Sequence, residues 1–213
     1  MIIDLLTAER LRSYCAATSG DITEVMRPCE WNTEAAAAVI SLISMTEVIV
    51  RNALDSSLIS WSQRRHPSIS WLDAADLDTR GRSDIARARE RASRRRPHGV
   101  HGKVIAELPF GFWRFLTASR YLTTLWIPAL ATAFPHGHKE LGQRRKLVEQ
   151  RMERLAFVRN RAAHHEPIHQ RNLARDVDDA VTLMGWVSPD AAGWMRTHEH
   201  VTAEYLDKPQ AGL

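Results

Sequence analysis

The stretch TEAAAAVISLISMTEVIVRNALDSSLISWS, Thr33 to Ser62, decides the fold class. Its apolar residues Val39, Ile40, Ile43, Val48, Ile49, Leu54 and Leu58 recur at helical spacing, the period of a helix that buries one face. Thr33-Glu34 is read as its start. Outward from it the same period continues. Residues 2–17 predict an amphipathic first helix, and Leu72–Ala92 a charged, exposed one starting near Asp73 and broken at Pro97 and Gly99. Val104–Ala133 contains Glu107-Leu-Pro-Phe-Gly-Phe-Trp113, where Pro109 and Gly111 interrupt a helix and the aromatics dock into the core. Lys139–His164 predicts a further helix, ended by Glu166-Pro167 because proline disfavours helical geometry at the residue before it. Arg171–Trp186 and Pro189–Leu206 follow, split by Gly185 and by Ser188-Pro189, a proper helix start. No repeat and no β-hairpin signal is present. The expectation is an all-α domain over 1–213, with a core at about 30–187 and a C-terminal helix at 189–207.

Composition narrows the class further. Hydrophobic residues make up 44% and charged residues 25% of the 213, enough to build one core without metal or disulfide staples. The longest charge-free stretches, such as Ala35–Thr46, fall short of the ~20 residues a spanning helix needs, so no membrane association is expected. Met1–Arg12 mixes Asp4 and Glu9 with its apolar residues, unlike a secretory leader. Cys15 and Cys29 stand in no metal-ligand spacing. A reducing cytoplasm is the expected compartment.

Charge is unevenly distributed. Residues 1–60 carry net −4, residues 61–171 net +12 and residues 172–213 net −4. A basic block between acidic flanks suggests a phosphate-bearing partner such as RNA. It also fits a bias toward arginine on solvated helix faces, since 25 Arg stand against four Lys. Nine of the basic groups fall between Arg80 and Lys103. That segment, about 80–103, reads as a basic arm or a solvated linker, with Arg94, Arg95 and Arg96 as candidate RNA contacts.

The densest polar constellation is Val158-Arg159-Asn160-Arg161-Ala162-Ala163-His164-His165-Glu166-Pro167. On a helix Asn160 and His164 share a face, and Arg161 lies three and four residues before His164 and His165. A guanidinium neutralises charge developing on a phosphate, and an imidazole exchanges a proton near neutral pH. Together they suit phosphodiester cleavage without a metal or any other cofactor. Arg and His near a helix end also cap carbonyls or pair with acids, and residue chemistry alone leaves both readings open.

Arg159-Asn160-x-x-x-His164 resembles the Arg-polar-x(3–5)-His motif of the HEPN superfamily of helical, RNA-processing domains. Phe157-Val-Arg-Asn-Arg-Ala-Ala-His-His-Glu-Pro-Ile168 is similar to the signature of Abi-like (abortive infection) proteins within it. Glu47-Val-Ile-Val-Arg51-Asn52 resembles that family's early Glu-x3-Arg-Asn element, and Glu107–Trp113 with Tyr121 and Trp126 its aromatic middle segment. The resemblance covers about residues 35–187. It implies a HEPN-like helical bundle with extra helices, usually a homodimer whose two motifs face one another, and an endoribonuclease acting as a toxin or antiphage effector. An antitoxin or defence-system partner would accompany such an effector. His164 would then be the general acid or base, Arg159 would hold the scissile phosphate, and Asn160 would orient either. Glu47, Arg51, Asn52, Arg161 and His165 would support them, with Glu47 and Arg51 one turn apart as a bracing pair.

Three rival readings accompany it. A non-catalytic HEPN module would use the same motif only to hold RNA or a nucleotide, or to oligomerise. His164, His165 and His169 would be the ligands of a metal protein, although Pro167 intervenes and no Cys or paired Asp completes the set. A DNA-binding regulator would need helix-turn-helix punctuation, which is absent. Trp61 and Trp71 near the basic segment read as core, with a base-stacking platform as the alternative.

Overall fold

The computed structural model describes residues 5–16, 18, 22–93, 101–198, 200–201 and 203–206. Among the described residues the structure is 79% helical and contains no strand, so the class is all-α. The helices are α1 (Ala8–Cys15), α2 (Ile22–Arg65), α3 (Trp71–Ala74), α4 (Thr79–Ser93), α5 (His101–Glu107), α6 (Phe110–Leu116), α7 (Leu141–Ala163), α8 (Leu173–Val187), α9 (Pro189–His198) and α10 (Ala203–Leu206). Short 3₁₀ and π turns bridge Ser119–Ala133.

Helix α2 is the spine. At 1.5 Å per residue its 44 residues run roughly 66 Å. It starts eleven residues before Thr33 and passes through Pro28. Proline removes one amide donor there, but Val25, Trp31 and Asn32 on the same segment are buried, and packing outweighs that loss. Val25 joins Leu11 and Tyr14 of α1 in a small apolar cluster. Farther along, Leu42, Ile43, Val50, Leu54 and Leu58 enter the main core with Val148, Met152 and Leu155 of α7 and Leu183 and Met184 of α8. An 18-residue window within Glu24–Arg65 reaches a mean hydropathy of 1.6. By length and composition this helix meets the spanning requirement that the charge-free stretches miss; in the fold it is packed against α7 and α8.

The aromatic middle segment docks as expected. Phe112, Trp113, Trp126 and Phe134 are all buried, as are Trp61 and Trp71, so the two tryptophans are core and no stacking platform. The Trp126 indole donates to the Leu141 carbonyl at 2.8 Å, which joins this segment to the start of α7. Pro109 stands at the N-cap of α6 and Gly111 lies inside it. The helical run does break at Leu108–Pro109, between Glu107 and Phe110, as expected, whereas Gly111 interrupts nothing.

Several expected boundaries move. The helix over Leu72–Ala92 divides in two, because Ala75 is extended and Asp78 Oδ1 accepts the Gly81 amide at 2.9 Å to begin α4. The basic arm over 80–103 gives way to helix on both sides. Arg89 pairs with Asp73 at 2.7 Å and Arg91 with Glu107 at 2.8 Å, while Arg94, Arg95 and Arg96 lie outside the described residues. Gly185 does not split α8 from α9; it lies inside α8, where a Cβ would meet that of Ala192 at 3.3 Å. The split falls at extended Ser188, with Pro189 opening α9. The C-terminal helix of 189–207 is likewise two helices, α9 and α10.

The charge blocks meet in space. Asp179, 3% exposed at its side chain, takes two bonds from Arg154 at 2.5 and 2.6 Å and lies 3.5 Å from Arg151. Asp176, 1% exposed, takes two from Arg171 at 2.9 and 2.7 Å. The acidic C-terminal flank thus neutralises arginines of the basic middle across the α7–α8 seam. Much of the net positive charge is structural.

Candidate functional site

The site candidates sit where α7 ends. The His164 amide donates to the Asn160 carbonyl at 3.0 Å, the His165 amide to Ala162 at 3.1 Å and the Glu166 amide to Arg161 at 2.7 Å. The last two bonds are the paired closure of a helix C-terminus whose left-handed position glycine usually fills. Here His165 fills it, at φ 57°. A side chain there costs roughly 1–2 kcal/mol, a kind of strain that clusters at functional sites. The helix therefore stops at Ala163 through this turn, three residues before the Glu166-Pro167 stop read from sequence.

Arg159, Asn160, His164 and His165 are all exposed. The Arg159 guanidinium donates to Asn160 Oδ1 at 3.3 Å. Asn160 and His164 share a face, whereas Arg159 and His164 are separated by about 140° around the helix axis. The Arg159 charge reaches Glu47 on α2. Glu47 is half-buried, and burial pushes its carboxyl above the ordinary glutamate range more than Arg159, and then Arg51, pull it down.

The supporting residues divide. Glu47 feels the charge of Arg159, but no Glu47–Arg51 ion pair closes to 4.0 Å among the described residues. Arg51 is half-buried, with its Nε lacking a hydrogen-bond partner, and Asn52 is exposed on the same helix. Arg161 is committed to structure. Its Nε and Nη2 donate to the Pro167 carbonyl at 3.0 and 2.8 Å, and Glu166 lies 3.3 Å from Nη1. The three candidate metal-binding histidines do not converge. The His169 ring packs tilted, at 45°, against Tyr14 with centroids 5.2 Å apart, and no group of three or more His, Cys, Asp or Glu is placed to hold an ion among the described residues.

Two features escaped the sequence. Phe157 has Arg161 5.7 Å and Arg171 5.2 Å from its ring centroid, beside a cleft of about 280 Å³ lined by Ser13, Pro167, Ile168, His169 and Gln170. The four-residue spacing of Phe157 and Arg161 was the available signal. The second is Asp55 on α2, which accepts the Trp71 indole N–H at 2.7 Å and meets His101 Nε2 at 2.9 Å. It ties α5 to the spine. Forty-six residues separate that pair, and no local pattern reveals it.

Comparison with protein-family models, with curated proteins and with solved structures returns no match.

Proposed function

We propose that the protein is a metal-independent endoribonuclease of the HEPN type, acting as an abortive-infection or toxin-like antiphage effector in the cytoplasm. One observation carries the reading. Among the described residues, no carboxylate or main-chain carbonyl holds the Arg159 guanidinium, whose hydrogen bond is to Asn160. Its neighbours on α7 are committed: Arg151 and Arg154 to Asp179, Arg161 to Pro167 and Glu166. An exposed, unclaimed guanidinium is an anion site, and two exposed imidazoles at the same helix end, about 140° around the axis, are proton-transfer groups that a second copy would bring to it.

Arg159 would hold the scissile phosphate and stabilise its developing charge through the planar fork. His164 would take the proton of the ribose 2′-hydroxyl or give one to the leaving 5′-oxygen. Asn160, bonded to Arg159, keeps the guanidinium oriented. The products are a 2′,3′-cyclic phosphate and a 5′-hydroxyl, so DNA resists.

The 140° between Arg159 and His164 supports a homodimer, in which each copy completes the other's site. Val48, next to Glu47, and Ile40, two turns before it on α2, are 42% and 36% exposed and supply apolar surface for that contact. The same separation favours the second reading for a lone copy: a non-catalytic module that holds RNA or a nucleotide.

The test incubates the protein with mixed cellular RNA in excess EDTA and maps the ends. His164→Ala is expected to slow cleavage about 10²–10⁴-fold, Arg159→Ala comparably, and Arg159→Lys to rescue poorly for want of the fork. Cleavage abolished by EDTA points to metal chemistry. RNA bound but uncut favours the non-catalytic module.

A further inference from the structure

The cleft beside Phe157 is built for something flat and uncharged. Phe157 is 51% exposed, and the guanidiniums of Arg161 and Arg171 lie 5.7 and 5.2 Å from its ring centroid. Both are immobilised and neutralised from behind. Arg161 is held by the Pro167 carbonyl and Glu166, and Arg171 by Asp176 and the Arg154 carbonyl. A phosphate would call for an unpaired cation, and these two offer planes with their charge already compensated. The remaining walls are Pro167, Ile168 and the His169 imidazole, with the Gln170 carboxamide at an exposed position. Ser13 Oγ also lines the cleft, buried and without a hydrogen-bond partner among the described residues. Leaving a buried hydroxyl unpaired costs stability unless a ligand satisfies it.

We infer that this cleft is a nucleobase subsite, receiving one unpaired base of single-stranded RNA by stacking against the Arg–Phe157–Arg ladder and by hydrogen bonds to Ser13 and Gln170. The inference deepens the ribonuclease reading and rests on it for the nature of the ligand. Unstacked bases are held against aromatic rings and guanidinium planes in this way. A cleft of about 280 Å³ lies just below the ~300–1,000 Å³ that drug-sized ligands occupy, which suits one base. Phe157 and His164 are seven residues apart, two turns on the same face of α7, whereas Arg159 lies about 160° around the axis from Phe157, so the base belongs to a nucleotide beside His164, whose phosphate the Arg159 of a second copy would hold.

The experiment measures fluorescence anisotropy of His164→Ala protein, which blocks turnover, with a labelled single-stranded oligoribonucleotide and with an abasic ribose-phosphate chain of equal length. The base-bearing chain is expected to bind about tenfold tighter or more, the scale of one base stack. Gln170→Ala and Phe157→Leu should each shrink that ratio while leaving affinity for the abasic chain unchanged, with melting curves confirming that both variants fold. Equal binding of the two chains overturns the subsite, as does a ratio unmoved by either variant. Cleavage by the unaltered protein is scored separately. Cleavage without base discrimination sinks the subsite alone, whereas discrimination without cleavage sinks the nuclease reading alone. Failure to bind either chain overturns both.

Discussion

The Asn32 side-chain oxygen, buried on α2, accepts the Ile168 amide at 2.6 Å. That bond joins residues 136 apart in sequence and seats the turn after α7, with both motif histidines, on the central helix. The turn is thus fastened to α2 by Asn32, while farther along α2 the half-buried Glu47 feels the Arg159 charge.

Removing the Asn32 acceptor should loosen the turn. Asn32→Ala leaves a buried amide without its acceptor, a loss of about 1–3 kcal/mol. Chemical denaturation reads it directly. Asn32→Asp, which keeps the acceptor oxygen, should lose less than alanine does.

The left-handed turn at His165 gives a prediction of opposite sign. Glycine adopts φ near 57° without a Cβ penalty. His165→Gly should therefore stabilise the protein by about 0.5–1 kcal/mol after the entropy of the unfolded chain is subtracted. Its cleavage should fall less than that of His164→Ala. A larger fall would make His165 the acid–base group.

Glu47 links pH to stability. Its folded carboxyl is raised by burial beyond the pull of Arg159 and Arg51, so the native state keeps that proton to higher pH than the unfolded chain does. Stability from this group is present below the ordinary glutamate pKa and declines as pH rises through the raised one. Glu47→Gln should flatten that decline and raise the melting temperature at pH 7. Equal melting curves across pH 4–7 for the two proteins would refute it.

The buried carboxylate of Asp179 has the largest expected effect. Asp179→Ala strands Arg154 and Arg151 at the α7–α8 seam, where burial already lowers the Arg151 pKa. Breaking such a buried pair from one side costs about 3–5 kcal/mol. A guanidinium chloride titration should show it as an early midpoint.

Arg94, Arg95 and Arg96 are expected to govern RNA affinity. Neutralising them should reduce the salt slope of binding by roughly 0.7 for each lost contact to single strands. An unchanged slope would leave them as solvated charges.

The sequence by itself determined the helical class and the main buried faces. Val39, Ile43, Leu54 and Leu58 are buried as their period requires, while Ile40 and Val48 of the same set are exposed; helical periodicity is a local property that a short window displays. Ser188-Pro189 starts α9 for the same reason, the proline geometry being set by its own ring. The Arg159-Asn160-x3-His164 constellation was legible as chemistry, since its residues neighbour one another along one helix. What only the tertiary structure decided depends on partners distant in the chain. The start of α2 before Pro28 rests on packing against α1, and the break at Ala75–Asp78 is pinned by Asp78, whose amide donates to the Tyr121 hydroxyl and whose carboxylate accepts from Arg120. Segment charge suggested a free basic block, but Asp176 and Asp179 lie 5 and 25 residues from the arginines they hold. Net charge adds up along a sequence, whereas the field at a site depends on distance, and distance is set by the fold.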